Sequence, residues 1–205
     1  MTNEIMIAGF GGQGVMAIGK TLAEAGMKEG KAVSWLPSYG PEMRGGTANC
    51  CVVISEDEII CPIVLEPTEL IAMNLPSLLK FEPTVVKGGT IFVNSSIIKE
   101  KVSRDDVRAI YVPCLDIANE LGNAKVANMV MLGAYIEAMG NLGTDTIKEM
   151  LVHMFTGPKA KLVDLNIEAL RRGAACVKYF RRRKCNAGSG YSNHKDYNSQ
   201  GKTHR

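Results

Sequence analysis

The sequence has few aromatic residues and no long apolar run. Aromatic side chains make up 6% of the 205 residues, with a single tryptophan. No apolar run reaches the roughly 18 to 20 residues that a membrane-spanning helix needs. The amino terminus, Met1-Thr2-Asn3-Glu4, lacks the basic patch and the cleavage site of a secretory signal. We therefore expect a cytoplasmic protein with no membrane partner.

Cysteine and histidine patterns typical of metal sites are also missing. The six cysteines stand at positions 50, 51, 61, 114, 176 and 185, without CxxC pairs or Cys/His clusters. This spacing excludes the common zinc and iron–sulfur sites and predicts small buried side chains in a reducing compartment. Three histidines, at 153, 194 and 204, form no recognisable nucleophile arrangement. Cys114, before a predicted helix, is the alternative candidate for a reactive thiol.

Positive charge is concentrated at the carboxyl end. Residues 181–205 hold seven Lys or Arg against one Asp, a net charge of +6, so residues 1–180 carry −3 of the total of +3. From Cys185 onward Gly, Ser, Asn and Lys dominate, with almost nothing to bury. We predict one domain over residues 1–183 and a disordered basic tail over residues 184–205. Without an aromatic stacking platform or a recognised module, we expect no nucleic-acid partner.

The domain alternates strand and helix patterns. Glu4–Gly9 and Lys31–Leu36 are short apolar strands on either side of a helical pattern over Val15–Glu29. Such a βαβ unit predicts a parallel sheet. Two β-rich runs, Thr47–Ser55 and Glu58–Cys61, then predict an inserted β-hairpin.

The rest of the domain continues the alternation and becomes helical. The further predicted elements are strands over Glu69–Met73, Thr90–Asn94 and Ala109–Val112, and helices over Pro76–Lys87, Leu115–Leu121, Ala124–Met139, Thr144–Phe155 and Asn166–Phe180. The helix over Ala124–Met139 is apolar on nearly every side, which predicts burial in this chain or against a partner. The fold class is therefore α/β, with a Rossmann-like, mostly parallel sheet, flanking helices and a β-hairpin insertion.

The first informative loop follows the first strand and opens the first helix. Its glycines at 9, 11 and 14 have the G-x-G-x-x-G spacing, which provides a tight turn, close approach of a ligand and close helix packing. Free N–H groups of the first helical turn offer an anion site. Dinucleotide binding also requires an acidic residue after the second strand, where Ser34-Trp35-Leu36-Pro37 has none. The loop therefore predicts glycine-assisted packing with a phosphate site, ahead of NAD binding.

The second loop, residues 38–46, follows the carboxyl end of the second strand. Gly40-Pro41 and Gly45-Gly46 frame a short charged stretch that contains Glu42 and Arg44. Arg44 beside two glycines is suited to hold a carboxylate or phosphate. The alternative is a surface ion pair between Arg44 and Glu42, worth less than about 1 kcal/mol. The concentration of glycine and proline favours a functional loop.

Three strings together resemble a known family. They are GFGGQGV over Gly9–Val15, WLPSYGPEMRGGTANC over Trp35–Cys50, and GNAKVANMVMLGA over Gly122–Ala134. In this order they resemble the gamma subunits of 2-oxoacid:ferredoxin oxidoreductases, and most of all the short gamma chains of the 2-oxoglutarate and 2-oxoisovalerate enzymes. The resemblance covers residues 4 to about 180.

The resemblance implies a subunit of a complex that decarboxylates a 2-oxoacid, reduces ferredoxin and forms an acyl-coenzyme A. Thiamine diphosphate, Mg²⁺ and iron–sulfur clusters would be held by alpha, beta and delta partner subunits, and this chain alone would bind none of them. Coenzyme A is the co-substrate with which the gamma domain is associated. We expect 2-oxoglutarate as the substrate, followed by 2-oxoisovalerate.

The resemblance also implies a set of cofactor-binding residues, although it names no catalytic residue in this chain. The matching positions are Gly11, Gly12, Gln13 and Gly14 in the first loop, and Ser38, Tyr39, Glu42, Met43, Arg44 and Gly45 in the second. A second interpretation is a free-standing nucleotide-binding or regulatory module that uses the same glycine loop.

Overall fold

A six-stranded sheet forms the centre of the protein in a computed structural model that describes residues 2–39, 47–154 and 157–187. The strands are β1 Thr2–Phe10, β2 Ala32–Tyr39, β3 Thr47–Ser55, β4 Glu69–Ala72, β5 Thr90–Asn94 and β6 Arg108–Val112. The helices are α1 Val15–Lys28, α2 Leu75–Phe81, α3 Cys114–Glu120, α4 Ala127–Met139, α5 Thr144–Met154 and α6 Val163–Ala187. Short 3-10 turns precede α4 and α6 and follow α2.

The strand order is β2-β3-β1-β4-β5-β6, and three of the five strand pairs are parallel. Strand β3 runs antiparallel to both β1 and β2, so the β1–α1–β2 crossover passes over it. The α/β class and the mostly parallel, Rossmann-like sheet with flanking helices are confirmed.

The predicted pairing of Thr47–Ser55 with Glu58–Cys61 is wrong. Strand β3 pairs with β2 on one side and with β1 on the other, which uses both of its backbone edges. Glu58–Cys61 therefore finds no free edge of β3 to pair with, and it forms no strand. The hairpin of this domain is instead β2–β3, closed by residues 40–46.

The sheet separates a large core from a small one. Alternate side chains of one strand point to opposite faces, so Ile5 and Ile7 pack in a core with the long helices while Met6 lies on the other face. The large core contains residues of α1, α3, α4, α5 and α6. The small core is covered by α2 through Leu78.

Helix α4 is buried within this chain, so the first of the two predicted alternatives, burial in this chain rather than against a partner, is confirmed. Residues Met129–Ile136 are all buried. Its closest neighbour is α6, and Gly133 and Gly173 lie where the two helices cross. A Cβ atom at Gly133 would overlap the carbonyl oxygen of Leu170, and one at Gly173 would overlap that of Val130. The two backbones are therefore in direct contact.

Helix boundaries differ from the sequence prediction for identifiable reasons. Helix α2 was expected to reach Lys87, but it ends at Phe81 because Pro83 cannot continue an α-helix, and a 3-10 turn over Glu82–Thr84 follows. Helix α6 continues to Ala187, so it includes the first residues of the predicted tail, and residues 188–205 lie outside the described residues. In the described part of the chain, no helix is both long enough and apolar enough to cross a membrane.

Buried Glu69 makes stability depend on pH. Asn3 Nδ2 donates to Glu69 Oε1 at 2.9 Å and Thr68 Oγ1 donates to Oε2 at 2.8 Å. Burial nevertheless raises the pKa of this carboxyl, because desolvation disfavours the charged form. The folded protein thus binds this proton more tightly than the unfolded chain does. The protonated Glu69 side chain contributes its full stabilisation below the pKa that it has in the unfolded chain. This stabilisation is lost as the pH rises through the pKa that Glu69 has in the folded protein.

We expect Glu69→Gln to remove this pH dependence. Glutamine can accept from Asn3 and donate to Thr68 Oγ1, so the two contacts are kept without a buried charge. The free energy of unfolding at pH 7, measured by urea denaturation, should be at least as large as in the wild type, and the difference should shrink towards pH 4. A variant that is less stable at pH 7 and equally pH-dependent would contradict the assignment.

Candidate functional site

The first candidate loop and the strand ends that flank the second lie at the same edge of the sheet. The first loop follows Phe10, the last residue of β1, and Phe10 pairs with Thr47, the first residue of β3. The second loop joins Tyr39 of β2 to Thr47, and Tyr39 pairs with Ala48. Two strand spacings, about 10 Å, separate the ends of β1 and β2. This is the carboxyl edge of the parallel strands, where ligands bind in open α/β sheets.

Only part of the second loop is described. Ser38 and Tyr39 are the last two residues of β2, and Ser38 is exposed. Glu42, Met43, Arg44 and Gly45 lie outside the described residues. The described residues on either side of them in the chain, Tyr39 and Thr47, lie at the end of the β2–β3 pair and at the start of β3 beside Phe10.

The glycines of the first loop have two different structural roles. Gly12 and Gly14 have φ values of 93° and 77°, the left-handed region that favours glycine. A Cβ at Gly12 would meet no atom within 4 Å, whereas one at Gly14 would lie 2.5 Å from Asn128 Nδ2. Gly11 and Gly12 are exposed, so the turn opens to solvent at these two residues.

The side chain of Gln13 fixes the loop to the neighbouring strand. Its Oε1 accepts a hydrogen bond from the Phe10 N–H at 2.7 Å, and its Nε2 donates to the Met73 carbonyl at 3.1 Å, just beyond β4. The amide of Gln13 is therefore occupied by the backbones of β1 and the β4–α2 connection. In this arrangement Gln13 positions the loop, and the exposed backbone of Gly11 and Gly12 faces outward.

We expect Gln13→Leu to loosen this loop. The substitution leaves the Phe10 N–H without its acceptor and removes one donor to Met73, so the free energy of unfolding should fall by about 1 to 2 kcal/mol. Amide hydrogen exchange at Phe10, followed by NMR, should become at least tenfold faster. Lys20→Ala, a change at an exposed position on α1, is the control and should leave this amide unaffected. Unchanged protection of Phe10 would show that Gln13 does not hold the loop.

The start of α1 is suited to an anion. Its N-cap is Gly14, which supplies no side-chain cap, and its first turn contains no acidic residue. The first helical bond joins Ile18 N–H to the Gly14 carbonyl, so the preceding N–H groups point out of the helix end. These N–H groups and the helix dipole favour a negative ligand.

Three asparagines that the sequence analysis did not single out complete this edge. Asn74 follows β4 and caps α2 by accepting from the Ser77 N–H at 2.9 Å. Asn94 ends β5, is 1% exposed, and its Oδ1 has no hydrogen-bond partner among the described residues. Asn128 of α4 packs against Gly14. Asn74 follows the short apolar strand β4, and Asn94 ends the short apolar strand β5. An asparagine at the carboxyl end of an apolar strand is therefore the sequence pattern that indicates these two positions.

Cys50 and Cys114 are buried, and the described residues contain no metal-binding cluster. Burial raises the pKa of Cys50 to about 12 and raises the pKa of Cys114 well above its usual value. Cys114 is 0% exposed at the start of α3, so its sulfur is inaccessible to a reactant and the alternative of a reactive thiol there is wrong. Within residues 2–39, 47–154 and 157–187, no group of three His, Cys, Asp or Glu side chains is arranged to hold a metal ion.

A separate groove lies between α4, α5 and α6. Its volume is about 470 Å³, and its apolar lining includes Ile136, Ile147, Leu170 and Ala174. None of the described residues of the two loops lines it. The groove and the carboxyl edge of the sheet are therefore different surfaces.

Comparison with known sequences identifies a family and a longer relative. The family model described as pyruvate ferredoxin/flavodoxin oxidoreductase matches residues 4–176. The ketoisovalerate oxidoreductase subunit VorA of Methanothermobacter thermautotrophicus is 45% identical over 172 residues, which cover 83% of this chain and 35% of that subunit. The chain thus spans about a third of the length of this relative.

Two solved structures share the fold. One is the gamma subunit of a keto/oxoacid ferredoxin oxidoreductase from Geobacter sulfurreducens, with a TM-score of 0.73, 27% identity, and coverage of 86% of this chain and 99% of that chain. The other is the 2-oxoglutarate:ferredoxin oxidoreductase from Magnetococcus marinus with 2-oxoglutarate, coenzyme A and succinyl-CoA bound. It has a TM-score of 0.79 and 25% identity, and the match covers 87% of this chain and 31% of that chain.

Proposed function

Because this chain belongs to the pyruvate ferredoxin/flavodoxin oxidoreductase family, we propose that it is the gamma subunit of a multi-subunit 2-oxoacid:ferredoxin oxidoreductase. The complex converts a 2-oxoacid and coenzyme A to an acyl-coenzyme A and CO₂, and two electrons pass to ferredoxin. Alpha, beta and delta subunits are its partners. The match to a gamma subunit over 99% of that chain supports this organisation.

We propose that the two loops contact coenzyme A. The observation that supports this is the strand register, in which the first loop follows Phe10 at the same edge as Tyr39 and Thr47, the described residues that flank residues 40–46. The phosphates of coenzyme A are multiply charged, and the uncapped start of α1 beside the open turn at Gly12 favours an anion. Arg44 in the second loop supplies a side-chain cation.

This chain contributes binding and positioning to the reaction. Backbone N–H groups at the start of α1 hold a phosphate, and Gln13 keeps the loop in place through Phe10 and Met73. Among the described residues no group of three His, Cys, Asp or Glu side chains is arranged to hold a metal ion. We propose that the partner subunits hold thiamine diphosphate, Mg²⁺ and the iron–sulfur clusters, which supply the decarboxylation and electron-transfer chemistry.

We propose 2-oxoglutarate or 2-oxoisovalerate as the 2-oxoacid. The Magnetococcus marinus enzyme was solved with 2-oxoglutarate, whereas the Methanothermobacter thermautotrophicus relative is a ketoisovalerate subunit. Selection between the two acids rests with the subunits that hold thiamine diphosphate. Activity assays of the complex with a panel of 2-oxoacids distinguish the two substrates.

Anaerobic affinity purification of the tagged chain from its native host tests the proposal. We expect co-purifying subunits, a brown iron–sulfur spectrum, and coenzyme-A-dependent reduction of a low-potential dye with one of the two acids. A colourless, solitary chain, recovered under conditions that keep a related complex intact, would contradict the proposal. Tight nucleotide binding by that chain would favour the free-standing nucleotide-binding or regulatory module.

A further inference from the structure

The connection between β3 and β4 is much longer than its path requires. Strand β3 ends at Ser55, which pairs with Thr2, and β4 begins at Glu69, which pairs with Ile5. The two ends thus lie on either side of β1 near the amino edge of the sheet, about 14 Å apart, because two strand spacings combine with an offset of three residues along β1. Three or four residues would span this distance. The connection contains many more residues than this, and residues 57–67 are here called the amino-edge loop.

The amino-edge loop exposes an unusual amount of apolar surface. The side chain of Ile60 is 98% exposed, Leu65 is 78% exposed and Ile63 is 61% exposed. Cys61 and Pro62 between them are also exposed. Single exposed apolar residues are common, whereas the concentration of Ile60, Ile63 and Leu65 in one short loop is typical of an interaction site.

The loop is anchored at its middle and near both ends. Val64 is buried and anchors its middle to the protein. At its start the Asp57 N–H donates to Ser55 Oγ at 3.1 Å, and after its end the Thr68 N–H donates to the Glu4 carbonyl at 2.8 Å. A surface that is already ordered loses less conformational entropy on binding.

Carboxylates border the apolar patch. Glu56, Asp57, Glu58 and Glu66 are all exposed. Glu56 pairs with Lys31 Nζ at 3.0 Å, and among the described residues the other three carboxylates form no ion pair. A partner that covers this patch would therefore match it with apolar residues bordered by basic ones.

We infer that the amino-edge loop is the docking surface for a separate subunit of the same complex, which presents an apolar face with a basic border. This rests on the proposed function. The longer relative continues for about two thirds of its length beyond the part that matches this chain. Where that polypeptide is a separate chain, contact with this domain depends on a non-covalent surface. A second copy is disfavoured, because a two-fold interface would bring the two acidic borders together.

Alkylation of Cys61 measures whether the loop is covered. Cys61 lies within the patch and is exposed, whereas Cys50 and Cys114 are buried. The complex purified from the native host and the isolated chain are treated with N-ethylmaleimide, and the labelled peptide is identified by mass spectrometry. We expect alkylation of Cys61 in the complex to be at least tenfold slower than in the free chain.

Two matched variants measure the contribution of the patch to assembly. Ile60→Glu should weaken association with the partner subunit at least tenfold, because it places a charge in an apolar interface. Val152→Glu, at an exposed position on α5 that is 52% accessible, should change it less than twofold. Since Ile60 makes almost no contact within the chain, circular dichroism should show that both variants fold.

The outcomes separate the docking surface from the proposed function. A complex that assembles with Cys61 as reactive as in the free chain would overturn this surface and leave the proposed function intact. Protection of Cys61 that appears in the isolated chain as its concentration rises would identify a second copy as the occupant and overturn the inference. Failure of the wild-type chain to form any complex would overturn the proposed function.

Discussion

Gly173→Ala should lower the free energy of unfolding by about 3 kcal/mol or more, close to the upper end of overpacking effects. A Cβ at this position would overlap the Val130 carbonyl oxygen and would also meet the Ala134 backbone nitrogen at 3.1 Å. These atoms belong to the middle of α4, which is buried, so they cannot move aside without separating α4 from α6. Gly133→Ala should behave similarly, because it meets Leu170 from the other side.

Chemical denaturation of the purified chain measures the change in the free energy of unfolding. The sign of this change distinguishes a steric overlap, which destabilises, from an unhindered helix position, where alanine stabilises. At an unhindered helix position, alanine stabilises relative to glycine by about 1 kcal/mol. Ala175→Ser, two residues away on an exposed part of α6, is the control and should change stability by no more than about 0.5 kcal/mol. A Gly173→Ala protein as stable as the wild type would show that the backbones of α4 and α6 are not in contact.

Arg44→Ala should raise the KM for coenzyme A about 10-fold to 100-fold in the assembled enzyme, which corresponds to the loss of a hydrogen bond to a charged group. The value of kcat should change by less than about threefold, because the phosphates lie away from the reacting thiol and are bound equally in ground and transition states. Steady-state kinetics at saturating 2-oxoacid and varied coenzyme A measure both constants.

Lys20→Ala provides the matched control for the loss of one positive charge. Lys20 lies on α1, five residues after the start of the helix, and pairs with Glu24 at 3.4 Å. Its removal should leave the KM for coenzyme A unchanged. Equal effects of the two variants would indicate general electrostatics, and wild-type kinetics in Arg44→Ala would favour the alternative of an ion pair with Glu42.

The sequence predicted the local elements well because they depend on short-range patterns. The apolar run TIFVN gave β5 with both ends correct, and Gly9–Gly14 marked the turn between β1 and α1. The largely apolar string over Ala124–Met139 predicted a helix buried in this chain or against a partner, and α4 is buried in this chain. In each of these cases the signal and the structure involve the same few residues.

Features that depend on distant residues could not be predicted in this way. Strand β3 lies between β1 and β2, and no local pattern in Thr47–Ser55 indicates that both of its neighbours precede it in the chain. Gln13 contacts Met73, 60 residues away, so its positioning role depends on the place of β4 in the sheet. The contact between Gly133 and Gly173 similarly depends on how two helices cross.

Hydrogen exchange of the assembled complex with and without coenzyme A tests most directly whether the carboxyl edge of this sheet binds that co-substrate. Peptides over residues 9–17 and 38–47 should exchange more slowly when coenzyme A is bound, while a peptide over residues 57–67, at the opposite edge, should not respond to it. Saturating coenzyme A that leaves both loop peptides unchanged would contradict the account, because the two loops would then have no contact with the ligand.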